Sequence, residues 1–204
     1  MGTLRIDHAV VSGTFSLDGE THDVDNNVWV LGDDDECLVI DAPHDVDAIL
    51  DVVAGRQVKA IVLTHAHDDH SRVAPALRER VTAPILLHPD DKPVWELTHP
   101  DYLWDVDLSD EQSLKIAGAS VKVLHTPGHA PGAVCLYVHD LGAVFTGDTL
   151  FQGGPGATGR SFSDRPTIEA SIRAKLFALP DETVVHTGHG DDTTIGAERV
   201  GLEG

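Results

Sequence analysis

The sequence has no long apolar run, few cysteines and few basic residues, and each shortage excludes a class of protein. No apolar stretch among its 204 residues approaches the roughly 18 residues that a membrane-spanning helix needs. The beginning, MGTLRIDHAV, lacks the basic segment and the apolar region of a secretory signal. We therefore expect a cytoplasmic protein that does not interact with membranes.

The two cysteines, Cys37 and Cys135, each lie among apolar residues in a strand-like run. They form no C-x-x-C pair and no disulfide framework. Because free cysteine is commonly buried, two buried thiols are the simplest interpretation.

Basic residues are outnumbered: 14 stand against 34 acidic residues, which gives a formal net charge of −20. Aspartates occur together in turns, as at 33–35, 90–91 and 191–192. A field of this sign repels phosphate groups, and no basic stripe offsets it locally. Neither nucleic acid nor an anionic membrane surface is therefore an expected partner. We interpret the excess acid as a soluble surface, with attraction of cations as the alternative.

Apolar patterns along the chain alternate between strands and helices. Helical spacing marks 45–54 and 167–179, which end at Gly55 and Pro180. Strands are predicted at 4–15, 28–40 (with a turn at 32–35), 58–63, 84–88, 113–117, 120–125, 132–139, 142–146 and 183–186, a further helix at about 71–80, and short helix and loop over 90–107. Two β-rich halves with attached helices predict one domain over 1–204, built as two sheets packed face to face with helices outside.

Three histidines and two aspartates stand within H-A-H-D-D-H at 65–70, directly after the apolar run 60–63. His65 and His67 are two positions apart, so an extended backbone projects both to one side. Asp69 and His70 follow where the chain bends towards the next helix. Neutral imidazole and carboxylate are the ligands that zinc and similar divalent ions take. This cluster alone could bind a single ion.

Three later loops share one arrangement, in which a strand is followed by a glycine and a ligand-type side chain. His129, Asp148 and His189 stand in these loops, within T-P-G-H, F-T-G-D and T-G-H-G. Glycine lets the backbone turn sharply, and loops at sheet edges are where sites are commonly built. Four such loops meeting at one edge would bring seven ligands together, enough for two metal ions with an open position for water.

These motifs resemble the metallo-β-lactamase superfamily, whose H-x-H-x-D-H signature is matched by H-A-H-D-D-H. The resemblance runs from Asp25-Asn26-Asn27-Val28-Trp29 to Thr187-Gly188-His189-Gly190, and F-T-G-D-T-L-F at 145–151 is similar to the glyoxalase II-type hydrolases. It implies an α/β fold of the αββα four-layer type, with two mixed β-sheets packed face to face. It also implies one metal held by His65, His67 and His129, a second held by Asp69, His70 and His189, and Asp148 bridging the two.

The resemblance implies hydrolysis of thioesters of small thiols at two divalent ions, zinc first, with iron or manganese as alternatives. Two such cations lower the pKa of a bound water, polarise the carbonyl and stabilise the oxyanion. Asp69 and Asp148 are assigned catalytic roles together with the hydroxide formed there. The expected partner is a small-molecule thioester, and the oligomeric state is left open.

Three residues around this centre receive supporting roles. Asp41 and Asp68 are candidates to accept hydrogen bonds from ligating imidazoles, which normally need an acceptor on the other ring nitrogen. Glyoxalase II enzymes read approximately G-G-C-G-R after the bridging aspartate, whereas 153–160 here reads G-G-P-G-A-T-G-R. Arg160 is a candidate contact for an acidic substrate, with a solvated or ion-paired arginine as the alternative. Only 15 residues follow His189, so we expect no separate C-terminal substrate domain and no strict glutathione specificity.

Other functions of the same fold are alternatives. A mono-iron persulfide dioxygenase would use only His65, His129 and Asp148, and the complete second ligand set argues against it. A β-lactamase is disfavoured because those enzymes often have cysteine where Asp148 stands. The acidic charge disfavours an RNA-processing nuclease. The last alternative is a metal-binding protein without turnover.

Overall fold

The computed structural model describes residues 2–203, and most of its strands belong to two β-sheets. The first sheet consists of β1 (Arg5–Leu17), β2 (Glu20–Gly32), β3 (Glu36–Ile40), β4 (Gln57–Val62), β5 (Ile85–Leu87) and β6 (Val106–Asp107). The strands that follow are β7 (Ser113–Ile116), β8 (Ala119–His125), β9 (Val134–Val138), β10 (Ala143–Gly147), β11 (Leu150–Phe151), β12 (Gly154–Pro155), β13 (Val184–Thr187) and β14 (Thr193–Thr194). β11 and β12 form a separate ribbon, and the other six form the second sheet.

The helices lie between these strands in the chain. They are α1 (Val46–Val53), α2 (Asp68–Ser71), α3 (Ala74–Val81), α4 (Lys92–Thr98), α5 (Arg165–Ser171) and α6 (Ile195–Glu203). A π-helical turn, Ile172–Leu176, continues α5. Asp45 begins α1, because its side chain accepts hydrogen bonds from the backbone N–H groups of Asp47 and Ala48. No helix within residues 2–203 is long and apolar enough to cross a membrane.

Both sheets contain parallel and antiparallel pairs. The first has the order β1-β2-β3-β4-β5-β6, antiparallel as far as β3 and parallel from β3 to β6. The second has the order β14-β13-β10-β9-β8-β7, in which only β13 and β10 run parallel. The predicted pair of mixed sheets is therefore confirmed.

Side chains on alternate faces of the strands supply three packed apolar regions. Trp29 packs between the two sheets, whereas Val28 and Val30 pack against the helices outside the first sheet. In β10, Phe145 faces the first sheet and Val144 packs in the layer that contains α5 and α6. The order of layers is thus helix, sheet, sheet, helix, which confirms the predicted αββα sandwich.

The structure also corrects details of the prediction. β2 begins at Glu20 rather than at residue 28, and the two-residue strands β6, β11, β12 and β14 were not predicted. Such short strands carry no measurable alternation of polar and apolar residues. α6 was also missed. Both cysteines are free and buried, as expected, and burial raises the pKa of each thiol to about 11.

Candidate metal centre

The seven predicted ligands lie at one edge of the sandwich, in loops that follow strand ends. H-A-H-D-D-H leaves β4 and enters α2, and the other three ligand loops follow β8, β10 and β13. Their potential ligand atoms form three overlapping groups in which all atoms lie within 4.8 Å of one another. These groups are His65, His67 and His129; His65, His70 and Asp148; and Asp69, His70 and His189. The structure therefore brings together every residue of the predicted set.

The first group, here called site 1, consists of His65, His67 and His129. Their ring centroids are 4.8–4.9 Å apart and their planes are nearly perpendicular to one another, at 87–90°. His67 Nδ1 lies 3.0 Å from His129 Nε2. All three residues are buried, and their ligand nitrogens lie within 4.8 Å of one another.

The second group, here called site 2, consists of Asp69, His70 and His189. His189 Nε2 lies 3.2 Å from both His70 Nε2 and Asp69 Oδ2, and His70 Nε2 lies 3.6 Å from Asp69 Oδ2. The carboxylate of Asp148 stands between the two sites. Its Oδ1 is 3.2 Å from His70 Nε2, and its Oδ2 is 3.6 Å from His129 Nε2 and 3.5 Å from His189 Nε2.

Two glycines allow these loops to approach so closely. Gly147 has a φ of 49°, and a Cβ there would collide with the Thr64 side chain. A Cβ on Gly188 would collide with Asp148 Oδ1. Glycine is therefore required at both positions for Asp148 to lie between the sites.

The rings of His129 and His189 are each fixed by a contact through the nitrogen that faces away from the centre. His189 Nδ1 is 2.7 Å from the carbonyl oxygen of Asp25, and His129 Nδ1 is 2.9 Å from that of Ala157. Since a carbonyl can only accept, both rings donate there through Nδ1, which leaves their Nε2 atoms facing the cluster.

Asp41 contacts a ring of the predicted ligand set, whereas Asp68 lies elsewhere. Asp41 Oδ2 is 2.8 Å from His70 Nδ1, and the same carboxylate accepts hydrogen bonds from the backbone N–H and the hydroxyl of Thr64. Asp68 pairs with Arg72 and accepts a hydrogen bond from the Ser16 backbone N–H. Within residues 2–203 it makes no hydrogen bond to a ligand ring.

Burial and charge divide the histidines into two kinds. Burial lowers the pKa of His65 well below its usual value and that of His67 to about 3, so both rings are neutral. Burial also acts on His189, but the charge of Asp148 outweighs it and raises the pKa to about 10. The pKa of His70 is likewise raised, since Asp148, Asp69 and Asp41 outweigh its burial. The carboxylates of the cluster thus create a strongly negative site that attracts positive charge.

The donor set fits divalent cations. Within residues 2–203, His65 Nε2, His67 Nε2 and Asp148 Oδ1 are buried and have no hydrogen-bond partner, although the last lies 3.2 Å from His70 Nε2. Buried polar atoms without partners are costly in free energy and rare. Imidazole nitrogens and carboxylate oxygens in this number are the ligands of zinc and of similar transition metals.

Asp91 is a supporting residue that the sequence analysis missed. Its fully buried carboxylate accepts hydrogen bonds from Ala66 N at 2.6 Å and from Gly132 N at 2.5 Å. It therefore joins the loop of His65 and His67 to the loop that follows His129. Burial raises the pKa of Asp91 to about 7.

The strand β2 supplies a second support that was missed. Asn27 Nδ2 donates to the carbonyl oxygens of Thr187 and Gly190, and Trp29 Nε1 donates to the Thr187 carbonyl. These bonds hold the loop of His189 against the first sheet. The run Asp25-Asn26-Asn27-Val28-Trp29 belongs to the family resemblance, but no spacing rule assigns these bonds.

A cavity of about 270 Å³ opens onto the centre. Phe15, Leu17 and Val24 from the β1–β2 hairpin form one wall, and the segment 157–163 contributes Arg160 to the other. Arg160 is ion-paired: its Nη1 lies 3.1 Å from Glu20 Oε2, and its guanidinium lies over the Phe15 ring. The structure thus places Arg160 at the cavity and in an ion pair at once.

Comparison with known proteins leads to the same family that the sequence motifs resemble. A model of the metallo-beta-lactamase superfamily matches residues 23–189. A hydroxyacylglutathione hydrolase, GloC of Haemophilus influenzae, is 33% identical over 189 residues, covering 85% of this chain and 89% of that protein.

Two solved structures are also similar. The B3 metallo-beta-lactamase BLEG-1 is 32% identical with a TM-score of 0.78, over 92% of this chain and 95% of that one. TTHA1623 in a di-iron-bound form is 33% identical with a TM-score of 0.77, over 86% of this chain and 93% of that one.

Proposed function

The chain belongs to the metallo-β-lactamase superfamily, and from this premise we propose that it hydrolyses thioesters at a dinuclear metal centre. The observation that carries the proposal is the cluster of seven buried or half-buried ligand side chains with Asp148 between its two halves. The similarity to a hydroxyacylglutathione hydrolase supports a thioester as substrate.

Site 1 would hold one ion and site 2 the other, with Asp148 bridging and zinc as the expected metal. Two bound divalent ions would lower the pKa of a water to near neutral and polarise the substrate carbonyl. The chain's own part is to fix the ligands before substrate arrives. His70 is held by Asp41, and His189 is held by the carbonyl of Asp25. The short hydrogen bonds that Asp91 accepts hold the two loops of site 1 together. Such preorganisation lowers the barrier, because no reorganisation is needed during the reaction.

The cavity walls support an acyl-thiol substrate. Phe15, Leu17 and Val24 offer apolar surface for an aliphatic acyl or thiol chain and keep water from the reacting carbonyl. Arg160 stands where it can receive a carboxylate of the substrate in exchange for Glu20. The substrate would then be a thioester with one acidic group.

The decisive experiment is to purify the protein without added metal, measure metal per chain, and assay turnover. We expect about two equivalents of divalent metal in the loaded protein and steady hydrolysis of S-lactoylglutathione and of simple thioesters. Removal of metal by a chelator should abolish turnover, and zinc should restore it.

Three further assays on the same preparation distinguish the alternatives. Oxygen consumption with a persulfide, together with one iron per chain, would indicate a dioxygenase instead. Hydrolysis of a cephalosporin faster than of any thioester would indicate a β-lactamase, which the similarity to BLEG-1 makes necessary to test. Two bound metals without turnover of any of these substrates would indicate a metal-binding protein and contradict the proposal.

A further inference from the structure

The side chain of Asn26 lies directly against site 2, although it belongs to no metal-binding motif in the sequence. Asn26 is fully buried in β2. Its amide nitrogen, Nδ2, is 3.1 Å from Asp69 Oδ2, 3.3 Å from His70 Nε2 and 3.4 Å from His189 Nε2. One atom of this amide therefore contacts all three donor atoms of site 2 at once.

These four atoms form the corners of a nearly regular tetrahedron. The three distances from Asn26 are 3.1–3.4 Å, and the three distances among the site 2 atoms are 3.2, 3.2 and 3.6 Å. The centre of such a tetrahedron is about 2.0 Å from each corner, which is the distance at which zinc binds nitrogen and oxygen ligands. The amide of Asn26 thus lies at a position that a ligand of site 2 could occupy in addition to Asp148, since zinc also accepts five ligands.

We propose that Asn26 is a further metal ligand of site 2, through its amide oxygen. This inference rests on the proposed dinuclear centre and adds one residue to it. An amide nitrogen carries two hydrogens and no available lone pair, so it cannot bind a cation, whereas an amide oxygen can. With a cation at the centre of the tetrahedron, the amide therefore turns its oxygen inwards.

The environment of Asn26 permits this exchange of the two amide atoms. The outer amide atom, Oδ1, lies 2.8 Å from His44 Nε2. A neutral imidazole nitrogen either donates or accepts, according to which ring nitrogen carries the proton. His44 Nδ1 is buried and has no hydrogen-bond partner within residues 2–203, so no contact on that side fixes the proton position. His44 can thus donate to the amide oxygen or accept from the amide nitrogen without moving.

The alternative role for Asn26 is to donate a hydrogen bond to Asp69 Oδ2 and only orient that ligand. The two roles make different predictions for Asn26→Asp. If Asn26 is a ligand, the carboxylate places a charged oxygen at the same coordination position and strengthens binding. If Asn26 is only a donor, Asp69 loses its hydrogen bond and is repelled from its position, which offsets the attraction of the added charge for the cation.

The test is a zinc titration of metal-free protein in competition with a chromophoric chelator, for wild type, Asn26→Asp and Asn26→Leu. Leucine has nearly the same shape and no donor atom. We expect Asn26→Leu to raise the dissociation constant of one zinc by about tenfold or more, and Asn26→Asp to lower it by a similar factor. The other zinc, at site 1, serves as the internal control and should keep its affinity. Circular dichroism melts of the metal-free proteins check that each variant folds.

The Asn26→Asp variant decides the question even where Asn26→Leu fails to fold. Zinc bound by Asn26→Asp no more tightly than by wild type would overturn the ligand role, as would unchanged affinity in a folded Asn26→Leu. Wild-type protein that binds only one zinc would overturn the dinuclear centre itself, and the ligand role with it. If wild type binds two zinc ions and both variants bind them with wild-type affinity, only the role of Asn26 is overturned.

Discussion

Asp148 is the residue through which the two halves of the centre are connected. Its two carboxylate oxygens lie 3.2–3.6 Å from nitrogens of His70, His129 and His189, which belong to both sites. Asparagine has nearly the same size but is neutral and presents only one oxygen, so it is a poorer bridge.

We therefore expect Asp148→Asn to lower thioester hydrolysis by about 100-fold or more and to weaken at least one metal site. Steady-state kinetics and metal analysis of the same sample provide the measurement. Asp140 is an exposed carboxylate just after β9. Asp140→Asn is therefore the matched control and should change neither quantity. Near-normal turnover with two metals retained would show that Asp148 is not the bridge.

Asp91 has a different effect, on the pH dependence of stability. Its pKa is about 7 in the folded protein, because burial disfavours the charged form, and about 3.9 in an unfolded chain. The folded state therefore binds the proton more tightly. The contribution of Asp91 to stability is fully present below about pH 4 and is lost as the pH rises through 7.

Asp91→Asn cannot ionise and should remove this pH dependence. We expect the free energy of unfolding of wild type, relative to the variant, to fall by a few kcal/mol between pH 4 and pH 8, since each pKa unit corresponds to about 1.4 kcal/mol. Urea denaturation of the metal-free proteins at several pH values measures the difference. Asp101→Asn, at an exposed position, is the control. Parallel pH profiles for wild type and Asp91→Asn would mean that folding does not raise the pKa of Asp91.

The β1–β2 hairpin is the element that shapes the cavity, and it is attached to the segment 157–163. Asp18, in the hairpin turn, accepts hydrogen bonds from Ser161 N at 2.9 Å and from Ser161 Oγ at 2.6 Å. These bonds lower the pKa of Asp18 below its usual value. Because Phe15 and Leu17 stand on the same hairpin, its position sets the width of the cavity.

Asp18→Ala should therefore raise KM for thioesters severalfold and leave kcat and the metal content nearly unchanged. The change releases the wall of the cavity but touches no ligand of the centre. Among the described residues, Asp23 makes no hydrogen bond to 157–163. Asp23→Ala removes the same charge from the same hairpin and is therefore the matched control. A loss of kcat or of metal in Asp18→Ala alone would show that the hairpin also supports the ligands.

The same hairpin shows what sequence patterns can and cannot predict. β1 and β2 pair over thirteen positions, from Arg5 with Gly32 to Leu17 with Glu20. The turn Asp18-Gly19 has positive φ at both residues, and Asp-Gly is a strong hairpin signal that the prediction did not use. The first half of β2, ETHDVD, is exposed and charged, so it lacks the apolar alternation on which strand prediction depends.

The metal ligands and the residues that support them also differ in how far sequence patterns predict them. The seven predicted ligands stand in short motifs after apolar strands, and the resemblance to a known family implied that these motifs meet at one centre. Asp91 and Asn26 reach the centre only through the packing of other elements, and their neighbours in the sequence carry no ligand pattern. Their roles required the distances that the folded chain provides.

At the scale of the whole molecule, charge and cavity size bear on substrate choice. The chain has a net charge of −20, and Arg160 is the only lysine or arginine that lines the cavity of about 270 Å³ within residues 2–203. Glutathione carries two carboxylates and an amine. Arg160 pairs with Glu20, with which a substrate carboxylate would compete, and the wall formed by Phe15, Leu17 and Val24 is apolar.

We therefore expect little discrimination in favour of glutathione over other thiols. Specificity requires site groups that the wrong substrate leaves unpaired, and this cavity has few of them. The measurement compares kcat/KM for S-lactoylglutathione with that for the same acyl group on two other thiols, one neutral and one with a single carboxylate. The thioester with a single carboxylate should have a kcat/KM at least as high as that of the glutathione ester. Arg160→Gln should lower kcat/KM for this monocarboxylate and leave that of the neutral ester unchanged. A preference for glutathione of roughly 1,000-fold, or about 4 kcal/mol of transition-state discrimination, would contradict this expectation, since the groups lining this cavity could not provide it.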